Sequence, residues 1–178
     1  MENAMGKIMT AAVGTRAAAG TMTNFRWKIA FLIFLISFVA YMDRVNLSVA
    51  TPVIMQEFGF TKIDMGFIQT CFFASYALMQ VPGGILAEKF GMRKTGAFAI
   101  LWWSVFTALT ALAKGKISFA AVRLAFGLGE GPVFPSLGAA TFTWFNKHEK
   151  GKASSSILLG TFFGPVVGPV ATVALMGL

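Results

Sequence analysis

The run IAFLIFLISFVAYMDRVNLSVATPVIM, from Ile29 to Met55, decides the fold class of this chain. Its apolar length exceeds the 20 or so residues with which an α-helix crosses a bilayer. Asp43 and Arg44 lie side by side within it. A charge at bilayer depth costs about 2.5–3.5 kcal/mol on insertion scales, so two together need surroundings other than lipid. We infer that both residues line a water-filled path through a membrane protein.

The composition indicates a membrane protein over the whole chain. Of the 178 residues, 56% are hydrophobic and only 12% are charged, whereas soluble domains carry about 25% charged residues. Five apolar segments are long enough to span a bilayer: 28–55, 65–87, 95–113, 117–143 and 153–177. The loops between them are short, which makes successive helices antiparallel neighbours. The sequence therefore predicts an all-α membrane protein with five transmembrane helices.

The basic residues predict the orientation of the chain. Ten of them precede the first span or follow spans two and four, three lie in the opposite loops, and Arg44 and Arg123 lie within spans. Under the positive-inside rule the N-terminus is cytoplasmic. We expect the protein to lie in the inner membrane of a bacterial-type cell. The net charge of +8 then reflects topology and contact with an anionic lipid bilayer, and no nucleic-acid partner is expected.

We expect two regions in the chain. Residues 1–26 are predicted to be a flexible cytoplasmic arm, and residues 27–178 a transmembrane domain. An odd number of spans would leave Leu178 on the outer side, directly after a helix rich in Gly and Pro and without a polar tail. We therefore expect the chain to be truncated before a sixth span.

The charges inside the predicted spans are Asp43, Arg44, Arg123 and Glu130, and they sum to zero. Burial in a low dielectric favours such balance. Asp43 and Arg44 point about 100° apart on a helix, so they pair poorly with each other. We predict that Arg44 pairs with Glu130, because both lie near the middle of their spans. The alternative is that these ions only hold helices together.

A carboxylate with a movable arginine partner can bind either a proton or that partner. Glu130 and Asp43 are the candidate proton carriers, and Arg44 is the candidate anchor for an anion, because its planar fork fits a carboxylate. Several polar residues lie on the same helix faces as these charges, which predicts that they form the wall of a cavity. The alternative is that they make polar contacts between helices. They are Gln69, Tyr76 and Gln80 on span two, Ser37, Tyr41 and Ser48 on the face of Arg44, and Asn46 near that of Asp43.

The loop after span two is Gly84-Ile-Leu-Ala-Glu88-Lys89-Phe-Gly91-Met-Arg93-Lys94. It resembles the signature loop of the major facilitator superfamily, Gly-x-x-x-Asp-Arg-x-Gly-Arg-Arg/Lys, with Glu and Lys in place of the first charged pair and Met92 at one basic position. Gly84 and Gly91 allow close approach and a tight turn. Glu88 can accept hydrogen bonds from a neighbouring element. We expect Gly84, Glu88, Lys89, Gly91, Arg93 and Lys94 to form a conformational latch.

Two further stretches resemble the same superfamily. Arg123-x-x-x-Gly127-x-Gly129 is similar to an element of its fourth span, and we assign Arg123 and Gly127 a structural or gating role. Gly160-x-x-x-Gly164-Pro165-x-x-Gly168-Pro169 is similar to a motif linked to antiporters, with Pro169 replacing the final Gly. Such spacing also occurs where helices pack closely or kink. We assign Gly164 and Pro165 a structural or gating role.

A finer resemblance joins Tyr41-Met-Asp43-Arg44-x-Asn46 on span one with Gly129-Glu130-Gly131-x-x-x-Pro135 on span four. Together these are similar to the anion:cation symporter family, whose bacterial members include hexuronate, galactonate and glucarate transporters. The resemblance covers residues 27–178, the first five of twelve expected spans. It implies proton-coupled symport of a sugar acid. Substrate would contact Arg44, Tyr41, Asn46, Tyr76 and Gln80, with Asp43 and Glu130 as protonation sites.

The expected partners are a small organic anion, a proton or sodium ion, and a missing C-terminal half or second chain. No cofactor or metal is expected, because one His and one Cys, His148 and Cys71, build no common metal site. The sequence contains no phosphate-binding Gly-x-x-x-x-Gly-Lys-Ser/Thr loop and no catalytic constellation, so we do not expect an enzyme. The alternatives are an antiporter of the same superfamily and a non-transporting half or scaffold.

Overall fold

Helices make up nearly all of residues 25–177, the part of the chain that the computed structural model describes. They are α1 (Phe25–Phe58), α2 (Lys62–Phe90), α3 (Met92–Thr110), α4 (Lys116–Glu130), α5 (Val133–Trp144) and α6 (Lys150–Met176). The prediction of an all-α fold with five spans is confirmed, with α4 and α5 sharing the fourth span. The predicted arm at 1–26 lies outside the described residues except for Phe25 and Arg26, which begin α1.

Four stretches of this bundle are both long and apolar enough to cross a bilayer. They are Phe25–Phe58, Lys62–Phe90, Lys116–Trp144 and Lys150–Met176. The remaining predicted span is α3, whose 19 residues rise about 28 Å, close to the thickness of a hydrocarbon core. The fourth span is interrupted at Gly131 and Pro132, directly after Glu130. This break separates α4 from α5 beside the buried acid.

Glycines let α6 lie directly against α1. A Cβ atom on Gly160 would come within 2.6 Å of the Phe34 carbonyl oxygen, and one on Gly164 within 2.7 Å of that of Phe38. Real Cβ contacts are longer, so only glycine fits at these two positions. The antiporter-like stretch therefore acts here as a close-packing surface between two helices.

A second close approach joins α2 to the fourth span. A Cβ on Gly127 would meet the side chain of Ser75, and one on Gly83 would lie 2.6 Å from the Cα of Pro132. Within the described residues Gly84 makes no such close approach, because its nearest contact would be the Cβ of Pro135 at 3.9 Å. Neighbouring positions on a helix point about 100° apart, and Gly83 lies closer to the fourth span than Gly84 does.

The core lies where α1 to α5 meet, and its members are apolar side chains that are almost completely buried. They are Ile33, Ala40, Phe72, Ala99, Trp103, Phe126, Val133 and Leu137. Large apolar residues also cover the outside of the bundle, among them Leu78, Val81 and Val170. An apolar exterior around helices that satisfy their own backbone hydrogen bonds suits a lipid environment.

Polar contacts fix one end of the bundle. Thr61 caps α2: its Oγ1 accepts a hydrogen bond from the backbone N–H of Asp64, whose carboxylate accepts one from the N–H of Thr61. Lys116, at the start of α4, forms an ion pair with the same carboxylate. Lys116 and the Thr61 cap hold the pKa of Asp64 well below its usual range. This carboxylate therefore ties α2 to α4.

The opposite end is held by a second ion pair and by one tight turn. Nη2 of Arg26 in α1 lies 3.0 Å from Oε1 of Glu149, just before α6. Gly91 joins α2 to α3 with φ of 86°, a conformation that residues with a Cβ rarely adopt. The predicted tight turn at Gly91 is confirmed.

Candidate functional site

Arg44 and Glu130 form an ion pair inside the bundle. Nε of Arg44 donates a 2.8 Å hydrogen bond to Oε1 of Glu130, and Nη2 lies 2.7 Å from the same oxygen. The Glu130 side chain is fully buried, and that of Arg44 is 16% exposed. The pair predicted from the sequence is therefore present, and it joins α1 to the end of α4.

The pair leaves hydrogen-bonding capacity unused. Oε2 of Glu130 is buried and makes no hydrogen bond with another described residue, whereas Nε and Nη2 of Arg44 both lie within 2.8 Å of Oε1. Buried polar atoms are usually hydrogen-bonded, so such an oxygen in a buried ion pair is unusual. Oε2 can accept a proton, and the guanidinium can bind an anion once Glu130 no longer holds it.

Four aromatic rings surround the guanidinium of Arg44. Its Cζ lies 4.4 Å from the ring centroid of Tyr76, 4.8 Å from Tyr41, 5.6 Å from Phe72 and 5.7 Å from Phe134. We call this set the Arg44 box. Rings at these distances attract a cation by about 0.5–2 kcal/mol each. The box brings α1, α2 and α5 together around one charge and limits the directions from which a ligand can reach it.

Asp43 faces away from the Arg44 box. Its Oδ2 accepts a 2.8 Å hydrogen bond from the indole nitrogen of Trp103 on α3. The acid lies in a groove of about 320 Å³ between α1 and α3, which Ser104 and Thr107 also line. The two neighbouring charges therefore serve different sides of α1, as their separation on the helix predicts.

Arg123 is the fourth charge inside the spans. It is only 7% exposed, and its guanidinium carbon lies 5.1 Å from the ring centroid of Phe126. Among the residues from 25 to 177, no carboxylate lies within ion-pair distance of it, although Asp43 and Glu130 interact with it electrostatically. Arg123 thus balances both acids without binding either directly.

Two polar residues of α1 lie at the α6 interface instead of in the Arg44 box. The side-chain oxygen of Asn46 accepts a 2.6 Å hydrogen bond from Thr172. The Cβ of Ser37 lies beside Gly160. Asn46 thus contacts α6 in this bundle, and its role as a substrate contact stays a prediction. On α2, Gln80 is partly buried one turn beyond Tyr76.

The predicted latch residues lie around the turn between α2 and α3. Glu88, Lys89, Arg93 and Lys94 are exposed. Within the described part of the chain, none of the four forms an ion pair. Glu88 has no ion-pair partner among residues 25–177, so we expect a latch contact to come from residues beyond this range.

The chain belongs to the Major Facilitator Superfamily, because the sequence model of that family matches residues 33–178. It shares the fold of a bacterial homologue of the human lysosomal transporter Spinster, solved in an inward-facing, occupied conformation. That comparison gives a TM-score of 0.80 at 21% identity and covers 87% of this chain and 34% of the other. The family and the fold together define a multi-pass membrane protein.

Several named transporters of organic anions are similar in sequence. A D-galactonate transporter of Escherichia coli O6:H1 is 37% identical over 139 residues, which is 78% of this chain and 32% of that protein. A probable galactarate/D-glucarate transporter of Bacillus subtilis is 33% identical over 159 residues, covering 84% and 34%. A chloroplastic ascorbate transporter of Arabidopsis thaliana is 34% identical over 145 residues, covering 80% and 27%. This chain spans about a third of the length of these relatives.

Sequence reasoning missed three members of the site. Trp103, Phe72 and Phe134 contact the buried charges but were not singled out as site residues. A signal for Trp103 was available, since a buried indole N–H usually requires an acceptor and an acid in a neighbouring span provides one. The two phenylalanines gave no signal, because 19 of them are spread along the chain.

Proposed function

We propose that this chain forms the N-terminal bundle of a secondary active transporter that takes up an organic anion, such as a sugar acid, by proton-coupled symport. A second bundle, in a longer protein or a separate chain, supplies the other wall of the substrate site. The N-terminus is cytoplasmic, and the protein lies in the cell inner membrane. The D-galactonate and galactarate/D-glucarate transporters among the relatives support the substrate class.

The observation that carries the proposal is the buried Arg44–Glu130 pair, in which one carboxylate oxygen of Glu130 has no hydrogen-bond partner among the described residues. A proton that binds Glu130 removes the charge that holds Arg44. The guanidinium is then free to bind a substrate carboxylate with two of its nitrogens. Tyr41, Tyr76 and Gln80 would complete the contacts from this bundle. Proton binding and anion binding thereby favour each other, which is the requirement for symport.

Asp43 provides a second protonation site in this scheme. It lies in the α1–α3 groove, apart from the Arg44 box, and shares electrostatic contact with Arg123 and Glu130. Neutralising Asp43 changes the field at Arg123 and therefore at Glu130. The two acids are coupled through charge, without direct contact between them.

The motif between α2 and α3 would stabilise one conformation of the transporter. Glu88 and its cationic neighbours are exposed at one end of the bundle, where they can bind the second bundle. The rocking of the two bundles would then break and remake these contacts. Gly91 keeps the turn short enough to present them together.

Uptake measurements test the proposal. The reading frame that contains this chain is expressed in cells, together with any bundle encoded downstream of Leu178. Uptake of labelled galactonate, glucarate, glucuronate and gluconate is followed with and without a pH gradient, and with and without sodium. We expect Arg44→Ala and Arg44→Lys to abolish uptake, because neither replacement can bind a carboxylate with two nitrogens as arginine does. The exposed Lys114→Ala variant serves as the control.

Three outcomes separate the alternatives. Undiminished uptake by Arg44→Ala contradicts the anchor role. Uptake that rises when the pH gradient is reversed indicates antiport. The absence of uptake of any tested anion by the complete reading frame, while the protein is present in the membrane, favours a non-transporting half or scaffold.

A further inference from the structure

A second groove lies between α2, α3 and α4, on a different side of the bundle from the α1–α3 groove that holds Asp43. It measures about 350 Å³ and is lined by Leu86, Thr95, Phe98, Trp102, Leu128 and Pro132, among others. Neither the Arg44–Glu130 pair nor Asp43 contributes to it. Its chemistry therefore differs from that of the transport site.

The polar groups in this groove are satisfied by the protein itself. The Thr95 hydroxyl donates a 3.1 Å hydrogen bond to the Leu86 carbonyl oxygen, and the Trp102 indole donates a 2.9 Å hydrogen bond to that of Ala125. The groove thus presents hydrocarbon and aromatic surface. Phe98 is 64% exposed and Trp102 37% exposed, so the groove opens to the outside of the bundle. A hydrocarbon chain fits these properties.

Three cations and one acid, Glu88, lie at one end of the groove, which leaves a net positive charge there. Thr95 directly follows Arg93 and Lys94 in the chain, and Lys89 precedes the same turn. These three cations are exposed, and no carboxylate in residues 25–177 forms an ion pair with them. Cations at a membrane surface attract anionic headgroups. A ligand with a negative headgroup and a hydrocarbon chain matches both ends of the site.

We propose that this groove binds one anionic phospholipid, with an acyl chain along Leu86, Trp102 and Leu128 and the phosphate at Arg93 and Lys94. The lipid would connect the outside of α2, α3 and α4 to the turn at Gly91. Each cation near the surface contributes roughly a fivefold preference for anionic over zwitterionic lipid. The site shares Arg93 and Lys94 with the proposed latch, but it involves none of the buried charges of the transport site.

Fluorescence quenching tests this assignment on the full 178-residue chain in detergent micelles. Brominated acyl chains quench a tryptophan that they contact, and Trp102 lines the groove. The difference between the wild type and Trp102→Phe isolates its emission from that of Trp27, Trp103 and Trp144. We expect brominated phosphatidylglycerol to quench this emission at a concentration at least fivefold lower than brominated phosphatidylcholine.

Matched variants test the headgroup contact and the acyl-chain contact separately. The Arg93→Gln/Lys94→Gln variant should remove the preference for phosphatidylglycerol, whereas Lys147→Gln/Lys152→Gln, at the junction of α5 and α6, should keep it. Leu128→Phe fills the groove and should weaken quenching by both lipids. Leu124→Phe, one turn away on α4 and also exposed, should not. Circular dichroism establishes that each variant keeps its helical content.

Equal quenching by the two lipids in the wild type would overturn the proposal, since it would indicate unspecific solvation by hydrocarbon. A phosphatidylglycerol preference that survives Arg93→Gln/Lys94→Gln, or quenching that Leu128→Phe leaves unchanged, would overturn the placement of the headgroup or of the chain. Loss of sugar-acid uptake has no bearing on these measurements, so failure of one proposal is distinguishable from failure of the other.

Discussion

The indole nitrogen of Trp103 lies 2.8 Å from Oδ2 of Asp43, so a donor on α3 holds an acid on α1 at bilayer depth. A hydrogen bond to a charged group is worth about 1.5–3 kcal/mol. We expect Trp103→Phe to lower the unfolding temperature and to change the pH profile of uptake while the KM for the anion stays nearly constant. Uptake at several external pH values and thermal unfolding in micelles measure both effects.

Trp102→Phe is the matched control for this change. The Trp102 indole donates to the backbone carbonyl of Ala125, not to an acid, so its loss should leave the pH profile of uptake unaltered. If both variants moved the pH profile equally, Trp103 would have no particular relation to Asp43.

The Arg44–Glu130 pair should show strong coupling in a double-mutant cycle. Glu130→Gln leaves a buried guanidinium without its carboxylate, and breaking such a pair costs about 3–5 kcal/mol. The Arg44→Gln/Glu130→Gln variant removes both charges, so we expect it to be more stable than either single variant. Uptake should remain absent in all three. Recovery of uptake in the double variant would reduce the pair to a structural contact.

The approach of α2 to α4 should tolerate no side chain at Gly127. An added methyl group would meet the Ser75 side chain and the Phe72 backbone, and overpacking of this kind costs about 1–3 kcal/mol. Gly66→Ala, on α2 with nothing within 4 Å of its Cβ, should instead stabilise by about 0.5–1 kcal/mol. Unfolding temperatures of the two variants, measured side by side, should therefore change in opposite directions.

Asn46 should act in helix packing. Its hydrogen bond with Thr172 joins α1 to α6, so Asn46→Ala and Thr172→Val should each destabilise by about 0.5–1.5 kcal/mol, and the double variant no more than the larger of the two. The KM for the anion should be unchanged. A KM raised by Asn46→Ala but not by Thr172→Val would restore Asn46 to the substrate site.

The stabilising effect of Asp64 should depend on pH. Its pKa is lowered by Lys116 and by the Thr61 cap, so the folded state binds this proton more weakly than the unfolded state does. The stabilisation is complete above the ordinary pKa of an aspartate, about 3.9, and decreases as the pH falls below it. The gap in unfolding temperature between wild type and Asp64→Asn should therefore narrow on acidification. A gap that is constant from pH 7 to pH 3 would contradict this.

The pairing of Arg44 with Glu130 was predictable because charges inside spans are few and must balance. The helix that the Asn46 side chain contacts was not predictable in the same way. A helical period gives the angle between Asn46 and Asp43 but does not say which neighbouring helix lies at that angle. Here α6 occupies it, because Gly160 and Gly164 allow α6 to approach α1 so closely.

The remaining differences between the sequence-based predictions and the structure have similar causes. The signature motif directed attention to Gly84, yet Gly83 is the residue that packs against Pro132, since one position along a helix changes the direction by about 100°. Phe72 and Phe134 join the Arg44 box because α2 and α5 converge there. That convergence depends on Gly127 and Gly131 and cannot be derived from the spacing of aromatic residues.

The break at Gly131–Pro132 makes Glu130 the last residue of α4, 86 residues after its partner in α1. Because a chain is synthesised from its N-terminus, Arg44 is made well before the carboxylate that neutralises it. We therefore expect the apolar residues around Arg44 in α1 to offset the cost of inserting this charge until α4 is in place.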